Sequence, residues 1–241
     1  MVTKTGSRNG RSEVRTAAEP HRWALSFWAR GYRRLARRWV VTRHVRRFCR
    51  PFALDGVEHM ERFQAPGLIV ANHTSHFDTA IVLSLLTTPL YDRTAVVAAA
   101  DRFYTSTIKS AWFSLRYNAF PITRGGGSGA LAYSEWLLQH GWSLLMFPEG
   151  TRSKTGELLP FHPGPAILAL RQRVPVLPIH IHGAADILRP GTWESVPAPV
   201  HVHVGPPVSF EEGVDAAEAT QAIQDAVRAL IPARHGEPAA A

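Results

Sequence analysis

A histidine and an aspartate five residues apart are the side chains of this sequence best suited to acid–base chemistry. His73 and Asp78 lie in the stretch Ala-Asn-His-Thr-Ser-His-Phe-Asp, residues 71–78. An apolar run over 67–70 predicts a buried strand before this stretch, and another over 79–86 predicts a helix after it. Because ligands bind beyond the carboxyl ends of the strands in open α/β sheets, the junction is a candidate functional site.

The spacing limits how these two side chains can meet. On a continuous helix five residues correspond to about 140° of rotation, so the pair would diverge. A loop leading into a helix start would bring them together, and Ser75 fits the N-cap of a capping box with Asp78 three residues later. We hypothesise that Asp78 accepts a hydrogen bond from one nitrogen of His73, which leaves the other nitrogen as a fixed acceptor for a general base. The alternatives are that Asp78 only caps the helix, and that His76 is the base.

The length and composition suit one α/β domain with an appendage. The 241 residues are 45% apolar, which is enough for a full core. Cys49 is the single cysteine, so an intrachain disulfide is excluded and a reducing compartment is favoured. No stretch reaches about 18 apolar residues without a charge, so we expect no ordinary transmembrane helix. The first twenty residues lack the apolar region of a signal peptide.

The basic charge is concentrated near the N-terminus. The net charge is +8, yet residues 20–54 hold ten arginines and no acidic residue, whereas 55–241 hold 13 basic and 17 acidic residues. We predict a disordered tail over 1–19, a basic amphipathic helical arm over 20–54, a folded domain over 55–232 and a flexible tail over 233–241. Near the start of the domain, residues 57–62 are expected to be irregular or a short strand.

The arm has an apolar stripe. Within 21–50, Trp28, Tyr32, Leu35 and Trp39 recur at helical spacing and fall within about 60° of one another, and arginines occupy the rest of the circumference. This pattern is typical of a helix lying in a bilayer interface, so we predict contact with an anionic membrane surface. The alternatives are a stripe packed on the chain's own domain with solvated arginines, and nucleic-acid binding, for which no recognisable motif is present. We predict no nucleic-acid partner.

A glycine-rich segment follows another predicted strand. Residues 123–129 have the sequence Thr-Arg-Gly-Gly-Gly-Ser-Gly and precede a helical run. Glycines before a helix can present backbone N–H groups to an anion, and Arg124 would supply the charge. The segment lacks the lysine of a nucleotide P-loop, and a simple surface loop is the alternative.

A second charged turn follows a third predicted strand, at residues 147–153 with the sequence Phe-Pro-Glu-Gly-Thr-Arg-Ser. Gly150 permits a tight turn and Thr151 adds a hydroxyl. Arg152 would hold a phosphate bidentately while Glu149 orients it. The alternative is a surface turn with a weak ion pair.

Two pairs of histidines have strand spacing. His180 and His182 lie in one predicted strand and His201 and His203 in another, so each pair projects from one sheet face. Two such pairs could hold a metal, but no cysteine or carboxylate accompanies them in a recognisable ligand pattern. We therefore predict polar sheet faces and no metal site.

Four of these segments, in this order, resemble the conserved blocks of the glycerolipid acyltransferase family, the 1-acylglycerol-3-phosphate (lysophosphatidate) acyltransferases and their relatives. The blocks are residues 72–78, Arg124, residues 147–153 and residues 174–178. The resemblance spans about residues 50–210. The second block departs from the family pattern, because Asn118 and Thr123 stand where members often have a glycine and an acidic residue.

The resemblance implies the fold and the chemistry. The expected fold is a single α/β domain over 55–232 with a mixed β-sheet flanked by helices, plus the N-terminal amphipathic arm, which would be a two-helix motif. The family histidine is a general base, so His73 would deprotonate an acceptor hydroxyl that attacks the thioester of acyl-CoA or acyl-carrier protein, and Asp78 would set its tautomer. No cofactor beyond this acyl donor is implied.

The resemblance also implies binding residues and a substrate. Arg124, Glu149, Gly150, Thr151 and Arg152 match positions that bind the phosphoglycerol part of the acceptor. Pro178 lies in the block associated with the acyl-donor side.

The expected reaction converts 1-acylglycerol-3-phosphate to phosphatidate in phospholipid biosynthesis, at the cytoplasmic face of the cell membrane, by a peripheral or monotopic enzyme. The alternatives are the same chemistry on another lysophospholipid, an ornithine-type lipid or a glycolipid, and a non-catalytic membrane-binding protein.

Overall fold

The computed structural model describes residues 20–100, 104, 106–122, 131–188 and 194–232. The predicted tails over 1–19 and 233–241 lie outside the described residues, as does the glycine-rich segment over 123–129 with Arg124.

The described residues form a seven-stranded mixed sheet in the order β1-β7-β6-β2-β5-β3-β4. The strands are β1 Cys49–Asp55, β2 Leu68–Ala71, β3 Thr94–Ala99, β4 Ala119–Ile122, β5 Ser143–Met146, β6 Val176–His182 and β7 Ala198–Val204. Strands β6, β2, β5, β3 and β4 are parallel, whereas β7 runs antiparallel to β6 and parallel to the edge strand β1. The predicted single domain with a mixed sheet is confirmed.

Helices cover both faces of this sheet. They are α1 Phe27–Ala36, α2 Thr42–Phe48, α3 Val57–Arg62, α4 Asp78–Leu85, α5 Thr88–Asp92, α6 Thr107–Tyr117, α7 Ala132–Gln139, α8 Gly164–Gln172 and α9 Ala216–Arg228. A π-helical turn, Arg37–Val41, joins α1 to α2. One core lies between the sheet and α2, α3, α4 and α5, and the other between the sheet and α7, α8 and α9. The strands nearest the middle are buried on both faces, as their continuous apolar runs predict.

Two local predictions near the start of the domain are wrong. The arm was expected to be helical to residue 54, but helix α2 ends at Phe48 and β1 begins at Cys49. Most side chains of β1 are exposed because it is an edge strand, so the sequence has no apolar run there that would indicate a strand. Residues 57–62 were expected to be irregular or a short strand, but they form α3, which is too short to show a helical period.

The arm packs against the domain through its arginines. Arg33 is buried and donates to the Ala24 carbonyl within the arm at 2.7 Å, and burial lowers its pKa to about 10. Arg34 forms an ion pair with Asp92 of α5, and the Arg37 guanidinium lies 4.5 Å from the ring centroid of Tyr91. The alternative in which the apolar stripe packs on the domain and these arginines are solvated is therefore wrong.

The apolar stripe faces away from the domain. Trp28, Leu35 and Trp39 are 58%, 60% and 63% exposed, and Tyr32 is also exposed. Helix α1 contacts α6, where Ile108 and Trp112 are exposed as well. Within the described residues, no helix combines the length and the apolar character needed to cross a membrane.

Candidate active site

The predicted hydrogen bond between the histidine and the aspartate is present at the end of β2. His73 Nδ1 lies 2.8 Å from Asp78 Oδ2. The aspartate is fully buried, whereas the histidine side chain is 18% exposed. Since a carboxylate only accepts, Nδ1 carries the proton in this bond, and Nε2 is the nitrogen with a free lone pair. The pair is therefore arranged so that Nε2 can take a proton from a substrate.

The loop between β2 and α4 is folded around the same carboxylate oxygen. The backbone N–H groups of Thr74 and Ser75 donate to Asp78 Oδ2 at 2.7 and 2.8 Å. The contacts of the predicted capping box are present, because Asp78 accepts from the Ser75 N–H and the Ser75 hydroxyl accepts from the Phe77 N–H at 3.3 Å, but the helix begins later than predicted, at Asp78. Three hydrogen bonds to one oxygen fix the aspartate relative to the imidazole, so its role is more than capping.

A second carboxylate holds the backbone of His73. Glu149 follows β5, the neighbour of β2, and is 4% exposed. It accepts from the His73 backbone N–H at 2.6 Å and from the Leu159 N–H at 3.0 Å. Burial raises the pKa of the Glu149 carboxyl, against the lowering effect of these two N–H groups. Both carboxylate oxygens of Glu149 therefore accept from backbone N–H groups inside the protein, which the sequence did not predict.

The turn after β5 lies beside the histidine. The Ser153 N–H donates to the His73 carbonyl at 2.8 Å, and the Phe147 ring stacks on the imidazole with centroids 4.4 Å apart. Gly150 has a φ of 65°, and a Cβ there would lie 2.9 Å from His162, so glycine is required. The loop over 72–78 and the turn over 147–153 are thus in direct contact.

Two polar side chains of this turn are accessible to solvent. Arg152 is half-buried and Thr151 is exposed. Arg152 forms no hydrogen bond or ion pair with the part of the chain that the structure describes. The Arg152 guanidinium has no partner among the described residues and lies one residue from the Ser153 contact to His73, so it is available to bind an anion.

The side-chain amide of Asn72 joins the loop between β2 and α4 to strand β6, a contact that the sequence did not predict. Asn72, buried directly before His73, accepts from the Ile181 N–H at 2.7 Å and donates to the Ile181 carbonyl at 2.9 Å. Pro178 is buried in β6 opposite Val70, so it lies within the sheet rather than at its edge.

The single cysteine does not supply a nucleophile. Burial raises the pKa of the Cys49 thiol to about 12, and the negative charge of Asp78 adds to this effect. The thiol is therefore protonated at neutral pH, and thiols are weak nucleophiles compared with thiolates.

The two histidine pairs lie together, and a carboxylate accompanies one of them. His180 is opposite His203 and His182 is opposite His201 in the pairing of β6 with β7. Asp55 of β1 pairs with His203 of β7, and its side chain contacts both His203 and His201, which lies 146 residues after Asp55 in the sequence. The prediction that no carboxylate accompanies these histidines is wrong, because β1 and β7 pair from distant parts of the chain.

Comparison with known proteins identifies the class of this fold and site. The family model described as Acyltransferase matches residues 53–182, more than half of the chain. The chain belongs to the acyltransferase family.

Relatives of known name are consistent with this assignment. The 1-acyl-sn-glycerol-3-phosphate acyltransferase of Limnanthes douglasii is 29% identical over 172 residues, covering 67% of this chain and 56% of that protein. The protein of the same name from Pseudomonas aeruginosa is 36% identical over 74 residues, covering 31% of this chain and 28% of that one. The chain thus spans just over half the length of the Limnanthes relative.

A solved structure has the same fold. The crystal structure of the 1-acyl-sn-glycerophosphate (LPA) acyltransferase PlsC from Thermotoga maritima matches with a TM-score of 0.63 at 21% identity. The match covers 86% of this chain and 89% of that one.

Proposed function

We propose that the protein transfers a fatty acyl group from an acyl thioester to the free hydroxyl of 1-acylglycerol-3-phosphate, giving phosphatidate. The observation that carries this proposal is the His73–Asp78 pair, whose Nδ1 bond leaves Nε2 as a base at the end of a parallel strand. The names of the relatives supply the acceptor class. The acyl donor is acyl-CoA or acyl-carrier protein, and the transfer uses no other cofactor.

The proposed reaction is a direct transfer. Nε2 of His73 takes the proton from the acceptor hydroxyl as its oxygen attacks the thioester carbonyl. Collapse of the tetrahedral intermediate breaks the carbon–sulfur bond, and the imidazolium returns the proton to the leaving thiolate. Asp78 stabilises the imidazolium and keeps the proton of the resting state on Nδ1. Glu149 acts through the loop, since its hydrogen bond fixes the His73 backbone.

The experiment that tests this function is acceptor profiling. Purified protein is given one labelled acyl-CoA and a panel of lysophosphatidate, lysophospholipids with head groups, ornithine-type lipid and glycolipid acceptors, with lipid products identified by mass. We expect phosphatidate as the main product. A different acylated product would replace the acceptor assignment, and no thiol release with any acceptor would favour a non-catalytic membrane-binding protein.

We assign binding of the acceptor's phosphate to the turn after β5, with Arg124 as a further phosphate-binding residue. Arg152→Ala is expected to raise the KM for lysophosphatidate by about tenfold to 100-fold, with a smaller effect on kcat, because it removes one or two charge-assisted hydrogen bonds. Steady-state kinetics at varied acceptor concentration measure this effect. Lys154→Ala is the matched control, an exposed cation two residues away, and an unchanged KM in Arg152→Ala would contradict the assignment.

We also propose that the exposed stripe of α1 lies in the interface of an anionic bilayer, at the cytoplasmic face of the cell membrane. The arrangement of the arm supports this, because Arg34 and Arg37 contact α5 of the domain while the aromatic side chains of α1 face outward. Six further arginines are exposed to meet lipid head groups: Arg22, Arg38, Arg43, Arg46, Arg47 and Arg50.

Removing two aromatic side chains of the stripe is expected to weaken membrane binding. The double variant Trp28→Ser and Trp39→Ser should bind vesicles of phosphatidylglycerol and phosphatidylcholine at least about tenfold more weakly, because each buried aromatic contributes about 1.5–3 kcal/mol. Co-sedimentation measures the partitioning. Val57→Ser with Ile231→Ser is the control, since both are exposed apolar residues outside the arm. Equal losses in the two double variants would contradict the assigned surface.

A further inference from the structure

Three side chains on β1 and β7 point at one place outside the His73 site. His201 Nε2 lies 2.7 Å from Asp55 Oδ2, and His203 Nδ1 lies 3.2 Å from the same oxygen. The two imidazole centroids are 3.9 Å apart. One nitrogen of each histidine and one oxygen of the aspartate all lie within 4.8 Å of one another.

The sheet fixes this arrangement. Asp55 pairs with His203 in the parallel register of β1 and β7, and His201 lies two residues before His203 on the same face. His203 is the most buried of the three, with a side chain 16% exposed, compared with 36% for His201 and 64% for Asp55. The cluster is therefore anchored at one end and open to solvent at the other.

Two polar atoms beside the cluster lack partners among the described residues. His203 Nε2 is buried without a hydrogen bond, and so is Nδ1 of His180, which faces His203 from β6. The His180 and His203 ring centroids are 6.4 Å apart. A neutral His203 has one N–H, so with that proton on Nε2 the Nδ1 lone pair is available to a ligand.

We propose that Asp55, His201 and His203 bind a divalent transition-metal ion, with zinc as the best match and water completing the coordination. Two imidazole nitrogens and one carboxylate oxygen are a common set for such ions. In a tetrahedral site with bonds of ~2.0 Å the ligand atoms are about 3.3 Å apart, so small side-chain movements suffice.

The ion would join the edge strand to its neighbour. Strand β1 directly follows helix α2, and β7 connects β1 to the rest of the sheet. Metal bound to both strands stabilises the folded state by mass action, because the unfolded chain does not hold the three ligands together. The site lies two strands from β2, which carries His73 at its end, so metal binding is separable from the proposed acyl transfer.

The test uses the untagged full chain, treated with chelator and dialysed. Titration with Co²⁺, followed by its visible absorption, and with Zn²⁺ by calorimetry should give one ion per chain and a raised melting temperature. His203→Gln, His201→Gln and Asp55→Asn should each weaken binding by at least about 10–100-fold, since even the loss of an outer partner of a metal ligand has that effect.

Controls separate this site from other histidines. His140→Gln changes an exposed histidine that contacts a backbone carbonyl on α7, and His73→Ala changes the proposed base; both should bind the ion as the wild type does. Circular dichroism confirms that each variant is folded. Wild-type protein without saturable binding, or binding that all three ligand variants retain, would overturn the proposal. Because metal binding is read without acyl transfer, its failure would leave the acyltransferase assignment unaffected.

Discussion

His73→Ala is expected to lower kcat for acyl transfer by about 10²–10⁴-fold while the protein remains folded and bound to vesicles. The size follows from the typical contribution of a positioned general base. The fold should survive because the groups that hold the loop here are the backbone N–H and carbonyl of residue 73, bonded to Glu149 and Ser153, and alanine keeps both. The rate of thiol release with acyl-CoA and lysophosphatidate measures the effect.

His76→Ala is the matched control for that substitution. His76 lies in the same loop and was the rival base in the sequence, but it is His73 that contacts Asp78. We expect His76→Ala to keep most of the activity. If a folded His73→Ala variant turned over at the wild-type rate, or if only His76→Ala lost activity, the assignment of the base would be wrong.

Asp78→Asn is expected to lower kcat by about 10²–10⁴-fold, with little change in the KM for either substrate. An amide that offers its oxygen to the N–H groups of Thr74 and Ser75 keeps the loop, but no longer stabilises an imidazolium. Its nitrogen would take the place of Oδ1, which has no hydrogen-bond partner in the described chain, so some loss of stability is also expected.

The tautomer of His73 distinguishes a positioning role of Asp78 from a merely structural one. Nitrogen NMR of the labelled imidazole, assigned with His73→Gln, should show the proton on Nδ1 in the wild type and in Asp78→Asn, whose amide oxygen still accepts from Nδ1–H, and a mixture of tautomers in Asp78→Ala, which removes the acceptor. Asp78→Glu, which keeps the charge, should restore part of the activity if its longer chain reaches Nδ1. An unaltered tautomer in Asp78→Ala together with full activity in Asp78→Asn would exclude the proposed role.

The part of the site that the sequence predicted is the part built from neighbouring residues. His73 and Asp78 meet within one loop, so the strand before them, the helix after them and their spacing were sufficient to predict the hydrogen bond. The detail that differed is the helix start. The capping contacts of Ser75 and Asp78 are present, but the helix begins at Asp78 rather than directly after Ser75.

Contacts between distant segments were not predictable in the same way. Glu149 was expected to orient a bound phosphate, yet both of its oxygens bind backbone N–H groups, one of them 76 residues away. Asp55 reaches His201 only because β1 and β7 pair across 146 residues. A single sequence contains the residue types for such contacts but not the strand order that brings them together.

The sequence also did not predict which face of the arm meets the domain. Helical periodicity placed the aromatic stripe and the arginines on separate faces of α1, but it does not indicate which face meets the domain. The usual expectation is that the apolar face packs inward. Here Arg33 is buried and Arg34 pairs with Asp92, so the apolar face points outward. The orientation depends on Asp92 and Tyr91 of α5, which carried no recognisable signal in the sequence.

The most direct test of the central claim asks whether His73 removes a proton or forms a bond to the acyl group. Rapid-quench measurements would mix the enzyme with labelled acyl-CoA, first alone and then with lysophosphatidate. We predict no burst of CoA without the acceptor, and one CoA released per phosphatidate formed once it is present. A stoichiometric burst of CoA with label retained on the protein, or CoA release without phosphatidate in the presence of acceptor, would contradict the account.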